Sequence, residues 1–148
     1  MMYYRNGRFY LGNLSFALPD DIALDTCQGA DYEDTFEIHS TDEALCVHLY
    51  AEYSDVSPKE FFEGDSLEPD TFQRLSGIQS ILCGGLYGYF LPYTTGERNY
   101  CEYRFRLIDE ASGNNTFCIV TRSECLEYTE ILAHRVVQEL LESIQREA

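Results

Sequence analysis

Apolar and polar side chains alternate with a period of two through much of this chain and shift to a helical period only near its C-terminus. Residues 45–53 set Leu45, Val47, Leu49 and Ala51 against Cys46, His48, Tyr50 and Glu52, the pattern of a half-buried strand. Residues 100–109 do the same: Cys101, Tyr103, Phe105 and Leu107 form an apolar face, and Glu102, Arg104 and Arg106 form one expected to be wet. Near the start, residues 8–11 and 14–18 flank Gly12-Asn13, whose tolerance of positive φ suits a two-residue hairpin turn. Leu14, Phe16 and Leu18 face one way, Ser15 and Ala17 the other, and Pro19, with no N–H to donate, ends the ladder. An acidic loop over residues 20–34 leads to a strand at 35–39, which pairs with 45–53 across Ser40-Thr41-Asp42-Glu43. Residues 116–122 follow the Ser112-Gly113-Asn114-Asn115 turn as the hairpin partner of 100–109. Residues 78–93, apolar and punctuated by Gly84, Gly85 and Gly88, read as one strand with a bulge or a close backbone approach.

Three helices fill the remainder. Ser57-Pro58-Lys59-Glu60 starts the first: Ser57 accepts from a freed N–H, Pro58 suits the first turn, Glu60 completes a capping box, and Gly64 stops it. A second short helix is expected over residues 69–75, capped by Gly77, with Phe72 and Leu75 on one face. The last begins near 123–128 and runs as one long helix to about residue 146. Leu132, Ala133, Val136, Val137, Leu140, Leu141 and Ile144 form its apolar stripe, opposite Glu130, Arg135, Glu139, Glu142 and Gln145. A stripe that wide belongs against a sheet. The chain has 148 residues, 45% of them hydrophobic, with no repeat or linker, so residues 1–148 form a single domain.

Charge narrows the partners. Ten basic residues stand against twenty-six acidic ones, a formal charge of −16, and eleven carboxylates lie between Arg8 and Lys59 with no Lys or Arg among them. Nucleic-acid and anionic-membrane binding rest on neutralising phosphates, so this balance excludes both. A basic or neutral partner fits, or the charge serves only solubility. Residues 1–10 lack the run of about seven to fifteen apolar residues of a signal peptide, and no stretch of about eighteen apolar residues occurs, so a cytoplasmic location is expected. Six cysteines sit largely inside apolar strand runs and read as reduced, buried hydrophobes. The Asn114-Asn115-Thr116 sequon is turn chemistry.

No catalytic or metal signature appears. Cys-x-x-Cys and His-Glu-x-x-His are missing, and His39, His48 and His134 lie on three different elements. A reactive thiol needs electropositive surroundings, the reverse of this composition. Gly84-Gly85-Leu86-Tyr87-Gly88 lacks the Lys and Ser/Thr that follow a phosphate loop. Asp31, Glu33, Asp34 and Glu37 lack the alternation and central glycine of a calcium loop and read as a solvated acidic segment. Tyrosine remains: Tyr50, Tyr53, Tyr87, Tyr89 and Tyr93 cluster on two strands. Either they share an exposed face and form a binding surface, or they pack under helices with their hydroxyls at the rim.

Leu14-Ser15-Phe16-Ala17-Leu18-Pro19-Asp20 at one end and Leu140-Leu141-Glu142-Ser143-Ile144 at the other frame an N-terminal hairpin, short middle helices, a three-strand meander and a terminal helix. In these features the chain resembles the PsbP-like, Mog-type α/β/α fold family. The resemblance implies an antiparallel sheet covered by helices, the last of which closes the core. It also implies a binding module and not an enzyme, since members include a Ran-GTPase partner, photosystem-associated subunits, a bacterial envelope protein and cytosolic chaperones for transmembrane segments of secretion-system effectors. No functional residue of any member has a counterpart here.

The expected protein is thus α+β, with an antiparallel sheet of about six to seven strands covered by a long C-terminal helix and short middle helices. Its expected role is a non-catalytic, cofactor-free cytoplasmic adaptor that holds a basic or amphipathic protein segment on Tyr50, Tyr53, Tyr87, Tyr89 and Tyr93. Two readings stand beside it. One is a chaperone for apolar helices of secreted effectors, working as a homodimer with an apolar groove. The other is a small-ligand protein or enzyme with a pocket near Gly84 to Gly88.

Overall fold

The alternating runs pair into two antiparallel sheets. The computed structural model describes residues 2–5, 8–11, 14–19, 22–25, 35–64, 72–107 and 113–146. Along the chain, β1 (Met2–Arg5), β2 (Arg8–Leu11) and β3 (Leu14–Phe16) form a meander, with Leu11 opposite Leu14 as a two-residue connection requires. There follow β4 (Ile22–Asp25), β5 (Thr35–Ser40), β6 (Cys46–Glu52) and helix α1 (Pro58–Glu63). Then come β7 (Gln73–Arg74), β8 (Gln79–Cys83), β9 (Leu86–Thr94), β10 (Asn99–Arg106) and β11 (Thr116–Ser123). Helices α2 (Tyr128–Ala133) and α3 (Arg135–Ser143) and the short β12 (Gln145–Arg146) close the described chain. The smaller sheet has the order β1-β2-β3-β12. The larger has eight strands in the order β4-β5-β6-β11-β10-β9-β7, and β8 also pairs with β9.

The core lies on one face of the larger sheet. Leu45, Val47, Leu49, Tyr103, Phe105, Phe117 and Ile119 are buried there against Val136, Val137, Leu140 and Leu141 of α3 and Ile131 of α2. The N-terminal hairpin reaches this face through aromatic rings: Phe9 stacks on Phe16 at 5.6 Å, Phe16 on Phe117 at 5.5 Å, and Phe117 meets Phe105 at 6.4 Å. The opposite face is covered in part by α1, which lies on β9 and β10. Ser57 Oγ accepts from Glu60 N–H at its start, as its sequence requires.

Several expectations are corrected. The C-terminal helix is two helices, because His134 takes extended angles (φ −61°, ψ 135°) and caps α3 by accepting from Val136 N–H on Nδ1 at 3.2 Å. The buried side chains explain the break. Ile131 is buried and the next buried positions are Val136 and Val137, while the helical neighbours of Ile131, His134 and Arg135, are polar. A spacing of five slips the stripe off the helical period, and one extended residue absorbs the slip. The helix also ends at Ser143, short of residue 146, because Gln145 and Arg146 pair with β3. Residues 73–74 are strand where a second short helix was expected; residues 69–71 lie outside the described ones. Residues 22–25 are strand within the expected acidic loop.

Residues 78–93 form a hairpin and not one bulged strand. Gly84 and Gly85 both have positive φ (57° and 84°) and make its two-residue turn, with Cys83 opposite Leu86. The close backbone approach is present: a Cβ on Gly84 would collide with the carbonyl oxygen of Ile144, and one on Gly88 with the carbonyl oxygen of Arg104. Strand β3 ends at Phe16, before Pro19, and Ser15 is buried with Leu14 and Phe16, accepting from Arg8 Nε at 3.1 Å.

The two ends of the chain are tied through one hydroxyl. Ala17 N–H donates to Ser143 Oγ at 2.9 Å, and that hydroxyl lies 3.0 Å from Ala17 O and 2.7 Å from Leu140 O. Ser143→Ala strands the Ala17 N–H and is expected to lower the unfolding free energy by about 1–3 kcal/mol, read by urea denaturation. A change within error of zero would show that this tie carries no stability.

Candidate functional site

Register fixes what stands side by side on the face opposite the core. One row across it reads Tyr89, Arg104, Cys118, Tyr50; the next Leu91, Glu102, Val120, His48, Glu37; the third Tyr93, Tyr100, Arg122, Cys46, His39. Of the five candidate tyrosines, Tyr50, Tyr87, Tyr89 and Tyr93 stand on this face. β11 and β10 separate the two tyrosine strands.

The centre of the face is not wet. Glu102 and Arg104 are 5% and 3% exposed, against the sequence expectation, because α1 covers them. Arg104 Nε donates to Glu102 Oε2 at 2.8 Å and Nη1 to Glu52 Oε1 at 2.6 Å, and the Phe61 ring lies 3.4 Å from the guanidinium carbon. Tyr93 O–H donates to Glu102 Oε1 at 3.2 Å while its ring stacks on Tyr100 at 4.9 Å. Burial, reinforced by Glu102, pushes the Tyr93 hydroxyl above the usual phenol range. This cluster holds α1 on the sheet, with its hydrogen bonds spent internally.

The five candidate tyrosines thus divide. Tyr93 belongs to the buried cluster, and Tyr50 is half-buried with its ring 5.0 Å from that of His48. Tyr89 is half-buried, and only Tyr53 and Tyr87 are open, at 69% and 73% exposure. Tyr87 is directly opposite Leu82, itself 59% exposed, so an apolar pair stands free near the tip of the β8–β9 hairpin.

Around the edge of β8 lies an open groove of about 410 Å³ between this hairpin and α2–α3. Ile81, Leu82, Cys83, Phe90, Tyr103, Leu132 and Leu141 supply its apolar wall, Gly84 lies at its side, and Gln138 and Glu142 are its polar members. The groove borders Gly84, where a two-residue turn stands in place of the expected bulge. No His among the described residues lines the groove.

At the other end of the polar face, β5 and β6 bring Glu37, His39 and Cys46 together, with their donor atoms within 4.8 Å of one another. Cys46 Sγ lies 3.0 Å, Arg122 Nη2 2.9 Å and His39 Nε2 3.6 Å from the same atom, Glu37 Oε1. The hydrogen bond from Cys46, followed by the charge of Arg122, holds the Glu37 carboxyl below its usual range. Burial and the Glu37 acceptor push the Cys46 thiol up to about 12, and burial does the same for Cys101 and Cys118. These are neutral thiols and not nucleophiles at neutral pH. The five described cysteines are unpaired, and Cys27 lies outside the described residues, as do Asp31, Glu33 and Asp34. A cavity of about 370 Å³, lined by His39, Cys46, Arg98, Arg122, Ser123 and Cys125 among others, opens at this corner. Sequence reading missed the corner, whose signal is the pair of spacings Glu-x-His at 37–39 and Cys-x-His at 46–48 on facing strands.

No family model matches the chain, and no curated protein matches its sequence. Among solved structures, LpqN of Mycobacterium tuberculosis, a protein involved in cell envelope biogenesis, superposes with a TM-score of 0.54 at 14% identity. The match covers 91% of this chain and 83% of LpqN. A protein of Bacteroides thetaiotaomicron VPI-5482 aligns at 12% identity with a TM-score of 0.48, over 92% of this chain and 46% of its own length, so this chain spans about half of it. What the LpqN likeness establishes is a shared fold, an antiparallel α+β arrangement with few short helices.

Proposed function

We propose that this protein is a non-catalytic binding module that holds a short segment of another protein, apolar with basic flanks, in the groove between the β8–β9 hairpin and α2–α3. The observation that carries this reading is the groove's apolar wall, continued onto the surface by the exposed Leu82, opposite which the exposed Tyr87 stands on the paired strand. Contiguous exposed apolar surface beside a concave wall marks an interaction site, and large anchors such as Tyr supply contact area with little loss of conformational entropy. The occupant's flanks follow from charge: Glu142 is in the wall, and the chain as a whole carries −16. A chaperone for apolar helices is the narrower form of this reading, with the occupant's apolar side chains at i, i+3 and i+4. Of the expected tyrosine surface, Tyr87 stands beside this site, opposite Leu82 on the paired strand, and Tyr93 serves the buried cluster instead.

The test uses two labelled synthetic peptides with the same leucine-rich centre, one flanked by lysines and one by glutamates. The lysine form is expected to bind saturably, to weaken as salt rises, and to bind at least about tenfold tighter than the glutamate form. Leu82→Asp combined with Tyr87→Ser, two exposed positions, is expected to weaken it about tenfold. Equal binding of the two peptides, or full binding by the double variant, would sink the proposal.

A further inference from the structure

We propose that the β5–β6 hairpin carries a transition-metal site, suited to Zn2+, in which Glu37, His39 and Cys46 are the protein ligands and the fourth position faces the adjoining cavity. The proposal stands on the arrangement of donors and is independent of the groove. One carboxylate, one imidazole and one thiol are the three ligand types that zinc takes, and a thiol with an imidazole disfavours Mg2+ and Ca2+. Zinc bonds of about 2.0–2.3 Å place neighbouring donors of a tetrahedron roughly 3.3–3.6 Å apart. Here Cys46 Sγ and His39 Nε2 lie 3.0 and 3.6 Å from Glu37 Oε1, and all three donor atoms fall within 4.8 Å. Sub-ångström shifts close the set around an ion.

Sheet register supplies the rigidity. His39 is directly opposite Cys46, Glu37 is two residues along the same face, and Ile38 and Val47 between them are buried in the core. Ligands on paired strands whose alternate side chains are buried are held more tightly than ligands on loops. The cavity of about 370 Å³ that His39 and Cys46 line admits the ion and leaves room for a water in the fourth position. Arg122, 2.9 Å from Glu37 Oε1, supplies the positive charge beside that carboxylate when no metal is bound. When Zn2+ binds, a Zn–S bond forms at Cys46, the thiol proton leaves to solvent, and Arg122 gives up its share of Glu37.

The experiment is a Co2+ titration of the reduced full chain, followed by optical absorption, with Zn2+ as the competing ion. One equivalent is expected to produce a near-ultraviolet thiolate-to-cobalt band that Zn2+ abolishes. The band should be missing in His39→Ala and Cys46→Ser and kept in Cys125→Ser. His39 has a side chain 36% exposed, so His39→Ala keeps the test decisive where Cys46→Ser fails to fold. Zn2+ should raise the melting temperature of the parent protein and leave that of His39→Ala unchanged. Arg122→Gln, which removes a cation a few ångströms from the ion, is expected to tighten binding about tenfold. A parent protein without a thiolate band, or a band that survives both His39→Ala and Cys46→Ser, overturns the site.

Discussion

Arg104→Ala is expected to lower the unfolding free energy by about 3–5 kcal/mol, because it leaves Glu102 charged and buried without its cation. The figure needs no discount for solvent screening, since the side chains of Arg104 and Glu102 are 4% and 7% exposed. The same change removes the guanidinium from under the Phe61 ring and frees Glu52, so α1 loses much of what holds it to the sheet. Chemical denaturation of the single variant and of Arg104→Met with Glu102→Leu separates the causes. Replacing both charges by apolar groups of similar volume removes the desolvation cost along with the attraction, so the double variant is expected to be the more stable of the two. A single variant that loses less than about 1 kcal/mol would mean that the pair is hydrated and that α1 does not seal it.

The second large effect is expected at the junction of the two sheets. Phe16 is the middle ring of the run from Phe9 to Phe117 and is fully buried. Phe16→Ala removes its contacts on both sides and is expected to cost about 3–5 kcal/mol. Because β12 also pairs with β3, the loss should loosen the end of α3 together with the N-terminal hairpin. Hydrogen exchange is the discriminating measurement: amides of residues 8–11, 14–16 and 140–146 should lose protection together, with smaller changes in β10 and β11. Uniform loss over the whole chain would show one cooperative unit without a separable hairpin.

What could be read in the chain, and what could not, follows from the range of each interaction. β6, β10 and β11 were legible because a strand with one buried face writes its period into the sequence. The same alternation records only the side on which a residue stands, and not what later covers that side. Glu102 and Arg104 looked wet for that reason, since α1, which seals them, comes from a segment four decades earlier in the numbering. Two helices looked like one because Leu132 and Val136 keep a helical spacing, whereas the residue that is buried is Ile131. The apolar residues around Gly84 and Gly85 were visible, but only two successive positive φ angles make them a turn and create the groove beside it. Glu37, His39 and Cys46 are separated by a turn and by residues that face the core, so pairing in register, and no local motif, brings them together. The tyrosines were read as lying on two strands, and which face each would take was left open. Their accessibility depended on α1 and on the stacking of Tyr93 against Tyr100, which composition does not encode.

Gly84 has a consequence for the width of the groove. The hairpin turn and the end of α3 touch there through backbone alone, with no room for even one added carbon beside the Ile144 carbonyl. The two walls are thereby pinned at one end, as the blades of a pair of tweezers are joined at their base. Their separation at this end is set by a main-chain contact that no side-chain rotation can relax. Any side chain at position 84 would force the walls apart, so the width of the slot at this end rests on a residue that has none.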